Sequence, residues 1–368
     1  MVKTAETFIV DVEPVGRRTE AHEGDTLLAA TQAAGVGLTA LCGGIGACDT
    51  CRVRLVAGKL SRPTLVEEGI FSDDELRAGW RLACQAEPLS DVKIDIPAES
   101  LTAPQRLQIE GESESIALDP VITVVDLHLS VPTAHDLRAD ETRINDGLRA
   151  LGHTPVAISV PMLGYAAEQL RARGWSARLA IRDGSALVGL LNGDHPPLGL
   201  AVDIGTTSLA AYLVDLATGG ILAKTGAMNP QIAYGEDVIS RIMYIDQHPG
   251  DRPGLQRRVV AGLNELVHML CAEVGAVPEE IVDAVLVGNT AMHHIVSGLP
   301  VQQLGEAPYV PAASGALEFP AHSIGLTLSP GAIVYMPPNI AGYVGADHVA
   351  VLLATGLWNT TGTKLAID

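Results

Sequence analysis

The sequence predicts an α+β chain built from more than one domain. Three observations carry this. Its 368 residues suit two to four domains better than a single core. Apolar runs of period two alternate along the chain with runs of period 3.6, so strands and helices are interleaved. Four of the five cysteines fall within the first 84 residues, which sets that region apart from the rest. Apolar residues make up 47% and charged residues 18%, so there is material for packed cores and the chain is not of a disordered class.

Taken in order, TFIVDVEP and the following TEAHEGD read as a hairpin, and Thr26–Ala34 as a helix after Asp25. Arg52 opens an alternating strand after Cys51, and VKIDIP closes a first domain, residues 1–97. Residues 98–120 have no clear period and read as a linker, extended in part. Residues 121–196 form a small α+β middle domain: a strand VITVVDLHLSV, helices around Asp140–Leu151 and Leu163–Arg173, and a hairpin about Asp183-Gly184. Residues 197–368 form the last block. It opens with three strands, LGLAVDIG, LAAYLVDL and ILAKTGAM. Helices follow at Gly235–Gln247 and within Pro253–Val274. A strand DAVLVGN, a short helix TAMHHIVSGL, a strand AIVYMPP, a small-residue helix within Ala341–Thr355 and a final TKLAID complete it.

The formal charge of −19, from 24 basic against 43 acidic residues, argues against nucleic acid as a partner, since phosphate contacts need a basic face. Acidity serves solubility, and it also suits docking to a basic patch on a redox partner. There is no run of eighteen apolar residues and no basic-then-apolar leader at the start. A cytoplasmic protein without membrane contact is expected. An odd cysteine count without a leader favours metal binding over a disulfide framework.

The cysteines follow C-x5-C-x2-C-x32-C: Cys42, Cys48, Cys51 and Cys84. Four thiolates are what two tetrahedral irons need after sharing two sulfides. Gly43, Gly44 and Gly46 let the backbone wrap closely and aim N–H groups at the sulfurs, which stabilises the reduced, more negative cluster. A four-cysteine zinc site is the alternative. Zinc ribbons use two CxxC knuckles, and here there is one. The pattern resembles plant-type [2Fe–2S] ferredoxins with one extra residue in the first gap, the variant of ferredoxin-like domains in larger reductases. That resemblance implies a β-grasp fold. Cys271, within HMLCAEV, reads as a core residue.

The second motif is A-V-D-I-G-T-T-S, residues 201–208. A strand delivers Asp203 to a turn at Gly205, Thr206 and Thr207, whose N–H groups and hydroxyls can meet phosphate oxygens. Asp203 would hold Mg2+ through water, because Mg2+ keeps much of its hydration. The turn resembles the first phosphate motif of the actin, Hsp70 and sugar-kinase superfamily, with its ribonuclease H-like lobes. The resemblance also puts Gly288, Asn289 and Thr290 at a strand end facing the cleft. That superfamily has two lobes. On this reading the chain holds the first, its second lobe and adenosine site are missing, and by itself it lacks ATPase activity.

Other polar clusters read more plainly. His293-His294 suggests one packed and one exposed histidine. Glu236, Asp237 and Arg241 have helical spacing, which ordinarily gives a solvated pair, although their position after the third strand allows a place near the cleft. Ala341-Gly342-x-x-Gly345-Ala346 reads as a helix face for close packing, or as an inter-lobe hinge.

The whole domain order, with LCGGIGACDTC, DIGTTS, NPQIAYGEDVISR, VGNTAMHH and NIAGYVGADHVA, resembles the reductive activators of corrinoid proteins. The resemblance implies an ATP-dependent return of one electron to corrinoid cobalt, Co(II) to Co(I), for methyl transfer. It also implies a corrinoid protein and a low-potential electron donor as partners, ATP and Mg as ligands, and a homodimer through the middle domain. An electron carrier with a nucleotide-sensing domain, or a small-molecule kinase fused to a ferredoxin, would be the alternatives.

Overall fold

A computed structural model describes residues 7–40, 42, 44, 46, 48–97, 100, 118–193, 195–235, 237–359 and 363. Most of the expected linker, Gly43, Glu236 and the TKLAID segment apart from Thr363 lie outside these. The chain falls into two compact units. One joins Met1–Arg106 to Met228–Arg252; the other joins Leu107–Ala227 to Pro253–Asp368.

The first sheet uses β1 (Thr7–Glu13), β2 (Arg17–His22), β3 (Arg52–Ala57), β4 (Trp80–Leu82) and β5 (Val92–Asp95), in the order β2-β1-β5-β3-β4. β1 and β5 run parallel, and the β1–β2 hairpin is antiparallel. Alternation in TFIVDVE puts Val10 and Val12 on the inner face, with Val53, Leu82 and Ile94. Helix α1 (Leu27–Ala33) covers that face through Leu27, Leu28 and Ala30, and Thr26 caps it by accepting from Ala29 N. Two short helices, α2 (Leu65–Ile70) and α3 (Asp73–Arg77), follow β3, each begun by a capping box: Thr64 with Glu67, Ser72 with Glu75.

In the second unit, β6 (Ile122–His128), β7 (Ser176–Arg182) and β8 (Ala186–Leu191) make an antiparallel sheet. Helices α4 (Asp140–Ala150) and α5 (Val160–Ala172) supply Ile144, Leu148, Met162 and Leu170 to its core. α5 starts earlier than the apolar pattern indicates, because Ser159 caps it and Pro161 suits the first turn. The β7–β8 turn uses Asp183 at φ 49° and Gly184 at φ 60°, the positive-φ pair that an Asp-Gly hairpin needs.

The six-stranded sheet has the order β11-β10-β9-β12-β14-β13: β9 (Leu198–Ile204), β10 (Ser208–Asp215), β11 (Ile221–Met228), β12 (Ile281–Gly288), β13 (Leu317–Pro320) and β14 (Ile333–Met336). β9, β12 and β14 are parallel, and β10 pairs with β9 antiparallel. Helices α6 (Val238–Gln247), α7 (Arg252–Val274), α8 (Thr290–Ser297) and α9 (Ala346–Ala354) complete the order. Because Ile204 pairs with Gly288, the ends of β9 and β12 open on the same edge. Val188 and Val282 share one apolar cluster, and the Ser329 hydroxyl donates to Val188 O at 2.6 Å, so the two sheets of this unit are packed together.

Four expectations are corrected. α6 begins at Val238 and not at Gly235. Gly235 sits at φ 138°, where helix cannot continue, and Asp237 caps the helix through Ser240 N. The segment 341–345 is not helical, and α9 starts after Gly345. Both His293 and His294 are buried. Arg241 is not part of a solvated pair: it is fully buried, and its Nε donates to Gly235 O at 2.8 Å.

Candidate thiol and phosphate sites

Cys42 and Cys48 lie on the loop between α1 and β3, Cys51 abuts β3, and Cys84 follows β4. Backbone bonds tie these elements at their ends. Ala83 N donates to Cys51 O at 2.9 Å, and Leu28 N donates to Ala83 O at 2.9 Å. The start of α1, the start of β3 and the turn after β4 are therefore held in register. Cys51 Sγ lies 3.4 Å from Cys84 Sγ, both buried. Cys48 and Cys42, half-buried, share a hydrogen bond of their own, and Thr50 Oγ1 is 3.1 Å from Cys48 Sγ.

The four thiols thus form two pairs. A tetrahedral ion with metal–sulfur bonds of about 2.3 Å holds its sulfurs about 3.8 Å apart, whereas a disulfide brings them to about 2.05 Å. The Cys51–Cys84 spacing is near the first and far from the second. Among the described residues no three His, Cys, Asp or Glu side chains converge on one point. A two-by-two division suits two ions bridged by shared sulfides. The shared proton holds the Cys51 thiol well above its ordinary range, with burial adding to this, and holds Cys84 below its own.

Glycine is required at two described positions of the loop. Gly44 and Gly46 adopt φ 90° and 81°, and a Cβ on Gly46 would stand 2.9 Å from Gln85 Nε2. A buried ion pair backs the turn leading to Cys84. Glu67 Oε1 accepts from Arg81 Nε and from Leu82 N, each at 2.9 Å, and Glu67 Oε2 accepts from Arg81 Nη2 at 3.0 Å.

At the open edge of the six-stranded sheet, a cavity of about 760 Å3 is lined by Asp203, Gly205, Thr206, Asn289, Asp347 and His348, among others. Asp203 is exposed near the end of β9. The turn at Gly205 is tight: a Cβ there would meet Ser208 O at 2.7 Å. Asn289 performs two tasks. Its Oδ1 caps α8 by accepting from Met292 N at 3.0 Å, and its Nδ2 donates to Thr206 Oγ1 at 2.9 Å. The α8 N-terminus and the turn after β9 are thereby joined. Gly288 and Gly345 permit the approach, since a Cβ on Gly345 would stand 2.3 Å from Gly288 O.

Of the residues expected here from the sequence, Asp203, Gly205 and Thr206 line the cavity together with Asn289. Thr207 is half-buried and stands outside that lining. Asp347 and His348, on the first turn of α9, were not singled out. Asp237 and Arg241 do not line this cavity; they fall in the segment that counts with the thiol-bearing unit. His294 is structural: Nδ1–H donates to Thr290 O at 2.7 Å, and Nε2 accepts from Ala312 N at 3.0 Å.

Comparisons with known proteins agree along the chain. A 2Fe-2S iron-sulfur cluster binding domain matches residues 10–89, the RACo linker region matches 111–196, and the RACo middle region matches 198–360. A corrinoid activation enzyme, RamQ of Eubacterium limosum, is 29% identical over 344 residues, 91% of this chain and 53% of the relative. A component of the Na(+)-translocating NADH-quinone reductase of Psychrobacter cryohalolentis is 36% identical over 116 residues, 31% of this chain and 26% of the relative. A solved structure titled as a reductive activator for corrinoid, iron-sulfur protein is 33% identical with a TM-score of 0.56, over 96% of this chain and 58% of the other. The chain therefore spans just over half the length of the activators it matches. Three family regions in unbroken order, with likeness to an activator over nearly its whole length, place this chain in the family of reductive activators of corrinoid proteins.

Proposed function

We propose that these residues serve an ATP-dependent reductive activator that returns one electron to the cobalt of a corrinoid protein, Co(II) to Co(I). The observation that carries this is the pairing, in one chain, of a two-by-two thiol site with an acidic strand-end cavity.

Cys42 with Cys48, and Cys51 with Cys84, are the ligands of a [2Fe–2S] cluster on a β-grasp sheet. The cluster, when bound, supplies a single electron at low potential, about −400 mV for the plant type. The chain's own part is to hold the two thiol pairs apart, to keep Cys51 and Cys84 dry, and to turn the Gly46 N–H toward Cys84 Sγ. In the cavity, Asp203 would hold Mg2+ through water, and Gly205 and Thr206 would meet phosphate oxygens, with Asn289 orienting the Thr206 hydroxyl; Thr207, next along the same turn but outside the lining, would add its backbone N–H. The six-stranded sheet is read as the first lobe of an actin- and Hsp70-like ATPase. Nucleotide drives electron transfer only through different affinities for two states of the complex, and a two-lobed ATPase supplies such states. The boundaries 1–97, 98–120, 121–196 and 197–368 divide the labour: cluster, linker, middle domain with a dimer contact, and nucleotide lobe. A low-potential donor reloads the cluster.

The test has two stages. The chain is reconstituted anaerobically with iron and sulfide, and its visible and EPR spectra are recorded before and after dithionite. A rhombic S = 1/2 signal that is lost in Cys48→Ser is expected; a colourless protein holding one zinc would overturn the reading. Cobalt reduction in a corrinoid protein is then followed with and without Mg-ATP, in a protein carrying these residues at the relatives' length. Asp203→Ala should abolish the ATP dependence and leave the cluster spectrum unchanged.

A further inference from the structure

The side chain of Gln85 lies over the thiol site. Its Nε2 is 3.7 Å from Cys84 Sγ and 3.4 Å from Cys84 O. The first distance is within the reach of an N–H donor to sulfur, whose radius exceeds that of oxygen. The backbone of Gln85 is fixed. Its N–H donates to Leu82 O at 2.9 Å, and Ala86 N donates to the same oxygen at 3.0 Å. Across the site Gly46 leaves the space that Gln85 fills, since a Cβ there would stand 2.9 Å from Nε2 and 3.2 Å from Cδ. A glycine at φ 81° and a side-chain amide thus fit together over one sulfur, and the cysteine that carries it is only 6% exposed.

We propose that Gln85 sets the reduction potential of the cluster by donating its amide N–H to the sulfur of Cys84. This rests on the cluster reading given above. Once Cys51 and Cys84 are both ligands, the thiol proton between them is gone, and the N–H groups of Gln85 and Gly46 are the donors that remain at Cys84 Sγ among the described residues. Reduction adds one negative charge to the cluster. A fixed donor is attracted more strongly to the reduced form than to the oxidised one, and burial weakens the screening that water would give. Gln85 is a positioning and tuning residue in this scheme, and holds no iron.

The experiment replaces Gln85 in the iron-loaded chain by Met, of similar length without a donor, and by Glu, of the same shape with a negative charge. The midpoint potential is read by EPR-monitored titration. Gln85→Met should shift the oxidised-to-reduced ratio at a fixed ambient potential about three- to tenfold toward oxidised, about 30 to 59 mV for one electron. Gln85→Glu should shift it further in the same direction. A residue that merely packs would not give this order. Equal potentials in wild type and either variant overturn the assignment, as does loss of the cluster in both variants while wild type loads. A wild-type chain that binds no cluster fails the cluster reading itself, and is seen before any variant is made.

Discussion

Glu67 offers the sharpest test of how the thiol site is supported. Its carboxylate is fully buried and accepts four bonds: two from Arg81, one from Leu82 N, and one at 2.9 Å from Thr64 N. Arg81 in turn donates to Ser61 O at 2.7 Å. In Glu67→Gln the charge is removed and the shape is kept. Arg81 is then left charged and 5% exposed, with an amide facing it. Breaking one partner of a buried pair costs about 3–5 kcal/mol, against at most about 1 kcal/mol for an exposed one. At 1.36 kcal/mol per factor of ten, the Val10 and Val53 amides, in the core of the same sheet, should lose about 10^2- to 10^4-fold of their hydrogen-exchange protection. The double variant Glu67→Leu with Arg81→Met should recover much of this, since an apolar pair avoids the desolvation. The wild type also carries a pH signature. Burial alone would raise the Glu67 carboxyl, but Arg81 and the Thr64 and Leu82 amides bring it below its ordinary 4.5. A lowered folded value means the contribution is present above 4.5 and fades as the pH falls through the folded value, so Glu67→Gln should flatten that acid limb. A loss below about 1 kcal/mol in the single variant, the scale of an exposed pair, would refute the reasoning.

Three other outcomes are expected. His293 is buried with neither ring nitrogen hydrogen-bonded among the described residues, and burial pushes it down from 6.5 to about 4. Its neutral form suits the fold, so about 3 kcal/mol should drain away as the pH falls from 6.5 toward 4, and His293→Leu should remove that slope in pH-dependent thermal melts. Asn289→Ala removes the α8 cap and the Thr206 contact, and a stability loss of about 1 kcal/mol in urea titrations is expected. Gly345→Ala places a Cβ 2.3 Å from Gly288 O, and overpacking of about 1–3 kcal/mol should appear as faster exchange in α8 and α9.

Much of the scaffold was legible because its signals are local. Period-two alternation found β1, β6 and β9, and Asp183-Gly184 gave the β7–β8 turn. The spacing of four cysteines gave the thiol site, and DIGTTS the strand-end turn. What stayed hidden depends on partners distant in sequence. Strand β4 is three residues long, and is a strand because Leu82 and Arg81 pair with β3. Arg241 resembled any surface charge until Gly235 and Gln231 supplied buried acceptors. His294 became structural through the Ala312 amide, and Gln85 acquired meaning only when Gly46 was seen to make room for it. Asp347 and His348 reach the cavity because Gly345 lets α9 start against Asn289, a fact of backbone clearance that no pattern of polar residues encodes.

The thiol-bearing unit is assembled from two stretches, residues 1–106 and 228–252, and Gln32 of α1 donates to Ala233 O at 3.3 Å across that division. Biosynthesis is directional, and so the first stretch leaves the ribosome long before its companion. At synthesis rates of about 5–20 residues per second the wait until residue 252 is roughly seven to thirty seconds. During that interval the Gln32 side chain is without its Ala233 acceptor. Cluster insertion can begin then, but the unit is complete only when residue 252 has been made. A gene fragment ending at residue 106 therefore yields the unit without its second stretch.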